Sequence, residues 1–175
     1  MQILRIQKFQ LILFLIFVFM SGYSALVYQV AWERLLKFQF GGDIISSSII
    51  TSIFLLGIGI GSFLFRKQQY NPLFIYFLLE LILGVFALMS YKAITSISEL
   101  SLFISSNSHN LDPLFLNILL SLSFLLVPTI IFGATFPIYI SIYKLLIGGK
   151  NIPIPLIYCI NTLGGAIGIA LVPML

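Results

Sequence analysis

The sequence predicts an all-α, polytopic membrane helix bundle of about five spanning segments, and three observations carry that expectation. Of 175 residues, 60% are hydrophobic and 8% are charged, against roughly 25% charged in an ordinary soluble domain. A soluble fold of this length would still leave about a third of its chain surface in water, so most of these side chains need lipid as their solvent. The apolar residues are gathered into runs near or above the roughly 20 residues that a helix needs to cross hydrocarbon. The links between runs are short except Lys92 to Pro113, no soluble domain fits anywhere, and residues 1–175 are expected to form a single transmembrane domain.

The first run spans about residues 10–38, with its apolar part from Gln10 to Ala31. The basic start MQILRIQK and the small residues Ser21, Gly22, Ser24 and Ala25 resemble a secretory signal. The apolar character continues through ALVYQVA, which favours an uncleaved spanning helix. Tyr28 and Trp32 are expected in an outer aromatic belt with Arg34 at the interface. Glu33 and Lys37, four apart, can pair along the helix. Gln29 is expected to be an interfacial polar residue.

The second run covers residues 44–65 and carries Gly57-Ile-Gly-Ile-Gly61-Ser62. A dinucleotide loop needs a strand before such glycines and a helix after them. Here they sit late in an apolar span, so Gly57 and Gly61 are read as a helix-packing face. Gly164 and Gly168 form a similar face in the fifth run, residues 153–175.

The third run covers residues 72–93 and contains Glu80, the one acid well inside a span. A carboxylate in hydrocarbon costs several kcal/mol, so such residues usually face the protein interior and mark a pathway or a structural hydrogen bond. The Ser- and Asn-rich stretch from Lys92 to Pro113, with Glu99, His109 and Asp112, is expected to be a connecting loop.

The fourth run, residues 114–146, is too long for one straight crossing. Pro128 and Pro137 should kink it, because each removes a backbone donor and frees the carbonyl four residues earlier, at Phe124 and Gly133. Threonine hydroxyls, waters or neighbouring helices can meet those carbonyls, with Thr129 and Thr135 as candidates. Broken helices of this kind also build solute sites in transporters.

Depth groups the polar residues. Glu80 lies eight residues beyond Pro72, about 12 Å along the axis, and Asn161 lies eight beyond Pro153. Glu80, Asn161, Thr129 and Thr135 are therefore candidates for one intramembrane polar layer near Gly57. Lys and Arg placement favours a cytoplasmic N-terminus: Arg5, Lys8, Arg66, Lys67, Lys144 and Lys150 then lie inside, and Arg34, Lys37 and Lys92 outside. The net charge of +4 rests on few residues and gives no nucleic-acid footprint. The lone cysteine, Cys159, has no metal-ligand spacing around it. No Ser–His–Asp set, paired catalytic carboxylates or phosphate loop is present, and no catalytic residue, metal or cofactor is expected.

Taken in order, SGYSALVYQVAWERLL, LLGIGIGSFLF, LLELILGVFAL, VPTIIFGATFP and LIYCINTLGGAIG resemble the membrane region of spermidine synthase-like proteins, also described as fused transporter-like spermidine synthases. Trp32, Arg34, Glu80, Gly133, Thr135, Pro137, Asn161, Thr162 and Gly164 match that pattern, whereas Gln29 stands where the family often has glutamate. The resemblance implies a membrane domain beside a soluble aminopropyltransferase-like domain that uses decarboxylated S-adenosylmethionine. No residues of such a domain occur here, so the chain is expected to be inactive alone and to be a split, truncated or naturally short form. That resemblance implies anchoring or partnering a polyamine enzyme; Glu80, Asn161 and the proline-broken fourth run point instead to permeation of a small, cationic solute, and the glycine faces to structural assembly with other membrane helices, including copies of itself, in the cell membrane.

Overall fold

The computed structural model describes residues 2–40, 43–67, 70–107, 112–148 and 153–172. Among these residues it forms α1 (Gln2–Phe40), α2 (Asp43–Leu64), α3 (Pro72–Asn107), α4 (Pro113–Ile147) and α5 (Ile154–Leu171), with no strand. Each is long and apolar enough to cross a membrane, as the sequence predicts for a multi-pass membrane protein. Large apolar side chains such as Leu88, Leu55 and Phe77 point outward, as expected where the surroundings are acyl chains.

Local chemistry sets several helix ends. Asn71 Oδ1 accepts from Leu73 N at 3.1 Å, and Pro72 follows at the first helical position, where its missing donor costs nothing. At the far end of α4, Gly148 adopts φ 65 and its N–H donates to Lys144 O at 2.9 Å. This is the left-handed glycine stop that a side chain would strain.

The main departure from expectation lies between Lys92 and Pro113. The Ser-rich segment continues α3 as helix through Asn107. Polarity marked it as loop, but its small polar residues satisfy themselves within the helix: Thr95, Ser101 and Ser106 donate to carbonyls three or four residues back. It also packs: Ile94 and Ser101 are buried, and Asn117 Nδ2 on α4 reaches Ser98 Oγ at 3.4 Å. His109 and Lys150 lie outside the described residues, as do the last three residues of the fifth predicted span.

Residue pairings fix the directions of the helices. Tyr76 meets Tyr139 and Phe86 meets Phe124, so α3 runs against α4. Phe14 meets Tyr139 and Trp32 meets Phe132, so α1 also runs against α4. Gly57 faces Thr129 while Gly61 faces Ile130 and Ala134, so α2 runs parallel to α4. Gly22 faces Asn161 while Leu26 faces Gly165, so α1 runs parallel to α5. The chain therefore crosses in alternating directions, with Lys8, Arg66, Lys67 and Lys144 at one end and Arg34, Lys37 and Lys92 at the other.

The glycine faces do their packing inside the chain. A Cβ on Gly61 would lie 2.0 Å from Ile130 O, and one on Gly164 would lie 2.1 Å from Phe19 O. Gly133, on the opposite side of the α2–α4 seam, is equally closed by the backbone of Ile58. Two tightly joined pairs result, α2 with α4 and α1 with α5. Gly57, Gly61, Gly164 and Gly168 are thus packed within the chain.

An aromatic core holds the bundle between those pairs. Trp32 is 2% exposed and stacks on Tyr28 at 5.8 Å, with Phe54, Phe86 and Phe132 around it. This differs from the aromatic-belt placement expected of Trp32: its ring packs against α2, α3 and α4. Arg34 is exposed. Glu33 and Lys37 do pair, at 3.6 Å, and Ser47 of α2 also donates to Glu33.

Candidate functional site

The candidate site is built where α1, α3 and α4 meet. Glu80 projects from α3 toward α1, and Ser21 Oγ donates to Glu80 Oε1 at 2.8 Å. Tyr76 lies one helical turn before Glu80, on the same face, and interacts with Glu80, Ser21 and Tyr139. Tyr139 comes from α4 and is 1% exposed. Its ring meets Tyr76 edge-on at 5.6 Å. The carboxylate is thus turned inward, as the cost of exposing it to lipid requires.

Of the four predicted polar residues, the structure brings two toward this cluster. Thr135 interacts with Tyr139 and is buried. Asn161 lines the adjoining cavity without an observed bond to Glu80. Thr129 is elsewhere: it faces Gly57 in the α2–α4 seam and donates to Leu125 O and Leu126 O at 3.1 and 2.9 Å. The single polar layer is therefore divided by α4, with Thr129 on its α2 side and Thr135 near the α1 seam.

Of the partners expected for the freed carbonyls, a neighbouring helix is the one seen at Gly133. Thr135 donates to Phe132 O at 2.7 Å, not to Gly133. The Gly133 carbonyl freed by Pro137 is met by Ser62 Oγ of α2 at 2.9 Å. Both prolines remain inside one continuous helix, Pro113–Ile147. Close approach at Gly61 and Gly133 is what lets a hydroxyl from α2 reach that carbonyl.

A cavity of about 460 Å³ opens between the two glycine-joined pairs. Ser21, Ser62, Thr135, Asn161 and Thr162 give it hydroxyl and amide groups; Phe54, Phe132, Phe136 and Tyr158 give it aromatic surface. Ser21 and Thr135 stand in the wall, with Glu80 and Tyr139 behind them. A second, apolar cavity of about 140 Å³ lies on the other side of the α1–α4 seam and is bordered by Tyr76, Tyr139 and Gln10. The Glu80 cluster separates the two.

Sequence reasoning overlooked Ser21, Ser62, Tyr76 and Tyr139. Two of them carried a signal. Tyr76 is four residues from Glu80 and Tyr139 four from Thr135, so helical spacing alone places each beside a chosen residue. Ser21 was absorbed into a signal-like run of small residues and Ser62 into a glycine face. No three His, Cys, Asp or Glu side chains among the described residues gather to hold a metal ion.

Comparison with known proteins finds no matching family model, no matching curated protein and no matching solved structure.

Proposed function

We propose that this chain is a membrane-embedded, transporter-like unit that binds a small organic cation in the cavity between α1, α2, α4 and α5. The observation that carries this reading is the Ser21–Glu80 hydrogen bond at the cavity wall. A hydroxyl that donates to a carboxylate becomes a stronger acceptor on its other side, because hydrogen bonds in series polarise one another. Ser21 thereby offers the cavity part of the charge that Glu80 holds behind it. An ammonium group donates readily to such an oxygen, and the faces of Phe54, Phe132, Phe136 and Tyr158 attract the same charge. The volume suits a small ligand, within the roughly 300–1,000 Å³ of ordinary ligand pockets.

The resemblance to spermidine synthase-like membrane regions narrows the class to polyamine-type amines. It also supports a second role, as the membrane partner of an aminopropyltransferase-like enzyme, with the five motifs in family order as its specific support. The two roles are compatible, since a membrane domain that holds an amine can serve an enzyme that consumes or makes one. The basic residues at the Lys8, Arg66 and Lys144 end favour that end as cytoplasmic, in the cell membrane.

Vesicles carrying the protein or its Glu80→Gln variant test the reading by uptake of labelled spermidine. Uptake that depends on the protein and falls in the variant is expected. Equal background uptake in both would remove the permeation role. Co-purification with an aminopropyltransferase-like enzyme tests the partnering role separately.

A further inference from the structure

Two helices that border the larger cavity do not close on each other. Leu55, Ile58 and Ser62 of α2 and Tyr158, Asn161 and Thr162 of α5 all line it. Helix α2 packs along α4 and α5 along α1, and among the described residues no comparable seam joins α2 to α5. Leu55, Ile58 and Tyr158 stay 68%, 42% and 60% exposed while lining the cavity, so they stand at a mouth between the two helices. That mouth lies within the spanning segments Ser47–Leu64 and Ile154–Leu171 and opens onto acyl chains, not water. Near the start of α5, Tyr158 meets Phe136 edge-on at 6.0 Å, which narrows the way in from the basic end.

The interior is more polar than the mouth. Ser62 gives its hydrogen to Gly133 O at 2.9 Å, so its oxygen has only lone pairs to offer the cavity. Thr135 gives its own to Phe132 O, and Tyr139 beside it can donate to that oxygen. Ser62 has no such hydroxyl beside it, and the amide of Asn161 has no hydrogen-bond partner among the described residues. Polar groups at membrane depth are costly to leave unmet. The acceptors Ser62 Oγ and Asn161 Oδ1 call for an O–H or N–H, and the Asn161 amide can donate in return. Asn161 sits near the middle of α5, Ile154–Leu171, below the level of lipid headgroups. A phospholipid head is held at the surface, whereas a small head on a single chain can reach that depth.

We propose that the cavity takes its ligand sideways from the bilayer, between α2 and α5, and that this ligand is a single-chain amphiphile. Its O–H or N–H head meets Ser62 and Asn161, and its apolar tail leaves past Leu55, Ile58 and Tyr158. This ligand class rests on the reading of the cavity as a binding site, and it needs no charge on Glu80. A long-chain amine satisfies both descriptions of the ligand; a long-chain alcohol satisfies only this one.

The experiment irradiates the full chain in phosphatidylcholine vesicles with a long-chain alcohol that bears a diazirine in its tail, and maps the labelled residues by mass spectrometry. Leu88 of α3, 86% exposed, reports ordinary contact with lipid. Labelling at Leu55, Ile58 and Tyr158 should saturate, exceed that at Leu88 and be displaced by unlabelled alcohol. The methyl ether of the same chain keeps an acceptor and loses the donor. It should need about tenfold more probe, as the loss of a hydrogen bond worth ~1.4 kcal/mol implies. Asn161→Leu should bring the alcohol to the level of the ether; where that variant fails to fold, the two probes on the unaltered protein decide alone. Labelling that rises without saturation and alike at the mouth and at Leu88, as in a cavity visited only by water or passing lipid, would overturn the site. Equal behaviour of alcohol and ether would do the same. Spermidine binding in the same vesicles separates the two readings. Spermidine bound without saturable labelling sinks lateral entry and leaves the solute role standing, whereas saturable labelling without spermidine binding supports the amphiphile and ends the polyamine reading.

Discussion

Ser21 Oγ and Glu80 Oε1 lie 2.8 Å apart, across helices whose residues are 59 positions apart in sequence. The bond joins α1 to α3, a pair with few other contacts. The same serine borders the cavity, so it stands between the Glu80 carboxyl group and that space.

Replacing Ser21 with alanine removes the observed donor to the carboxylate without adding bulk. An unmet, partly buried acceptor costs about 1–3 kcal/mol, and more when charged. Ser21→Ala should lower thermal stability by that order and weaken spermidine binding. Glu80→Gln should cost less stability, since an amide still accepts from Ser21, yet lose more binding. A double-mutant cycle, read as Tm and as binding, checks whether the two effects couple.

The glycines make a contrast that thermal unfolding can read directly. Gly61→Leu and Gly164→Leu force side chains into the backbone of Ile130 and Phe19, so the paired helices must separate. Each should cost about 3 kcal/mol or more, the upper range of overpacking. Gly59 and Gly84 have open space around the added carbon. Their alanine variants should be neutral or gain up to about 1 kcal/mol of helix propensity.

Trp32 is the single tryptophan, which makes its placement measurable. A buried ring in an aromatic cluster should emit at short wavelength and resist both aqueous quenchers and quenchers held at the headgroup level. A headgroup-belt tryptophan would respond to the latter. Strong quenching by headgroup-level labels would contradict the packing around Phe54, Phe86 and Phe132.

What the sequence made legible follows from which forces act locally. Apolar length decides membrane spans, so all five helices could be read from composition in windows. Glu80 stood out because an acid in hydrocarbon needs an explanation wherever it points. Its partner could not be read, since Ser21 is chosen by the crossing of α1 and α3 and by nothing near it in sequence. The segment after Lys92 misled for a related reason. Serine and asparagine weaken a helix taken alone, but here packing of Ile94 and Ser101 and the Asn117–Ser98 contact override that local preference. Trp32 misled because aromatic residues near a helix end suit an interface and a core equally well until the neighbours are known.

The repair of α4 at Pro137 gives the most specific test of how this helix is held. Proline at 137 has no N–H to give Gly133 O, and Ser62 of α2 donates to that carbonyl instead, at 2.9 Å. Ser62→Ala should therefore orphan a buried acceptor, at about 1–3 kcal/mol. Pro137→Ala restores the backbone donor in helical register, so the pair of changes should recover most of that loss even though α2 no longer contributes a bond. The measurement is the unfolding midpoint of the two single variants and the double variant. Recovery in the double variant shows that the serine acts by meeting the freed carbonyl. Additive losses would mean that Ser62 matters only by filling space beside Gly61, and that the carbonyl finds its partner elsewhere.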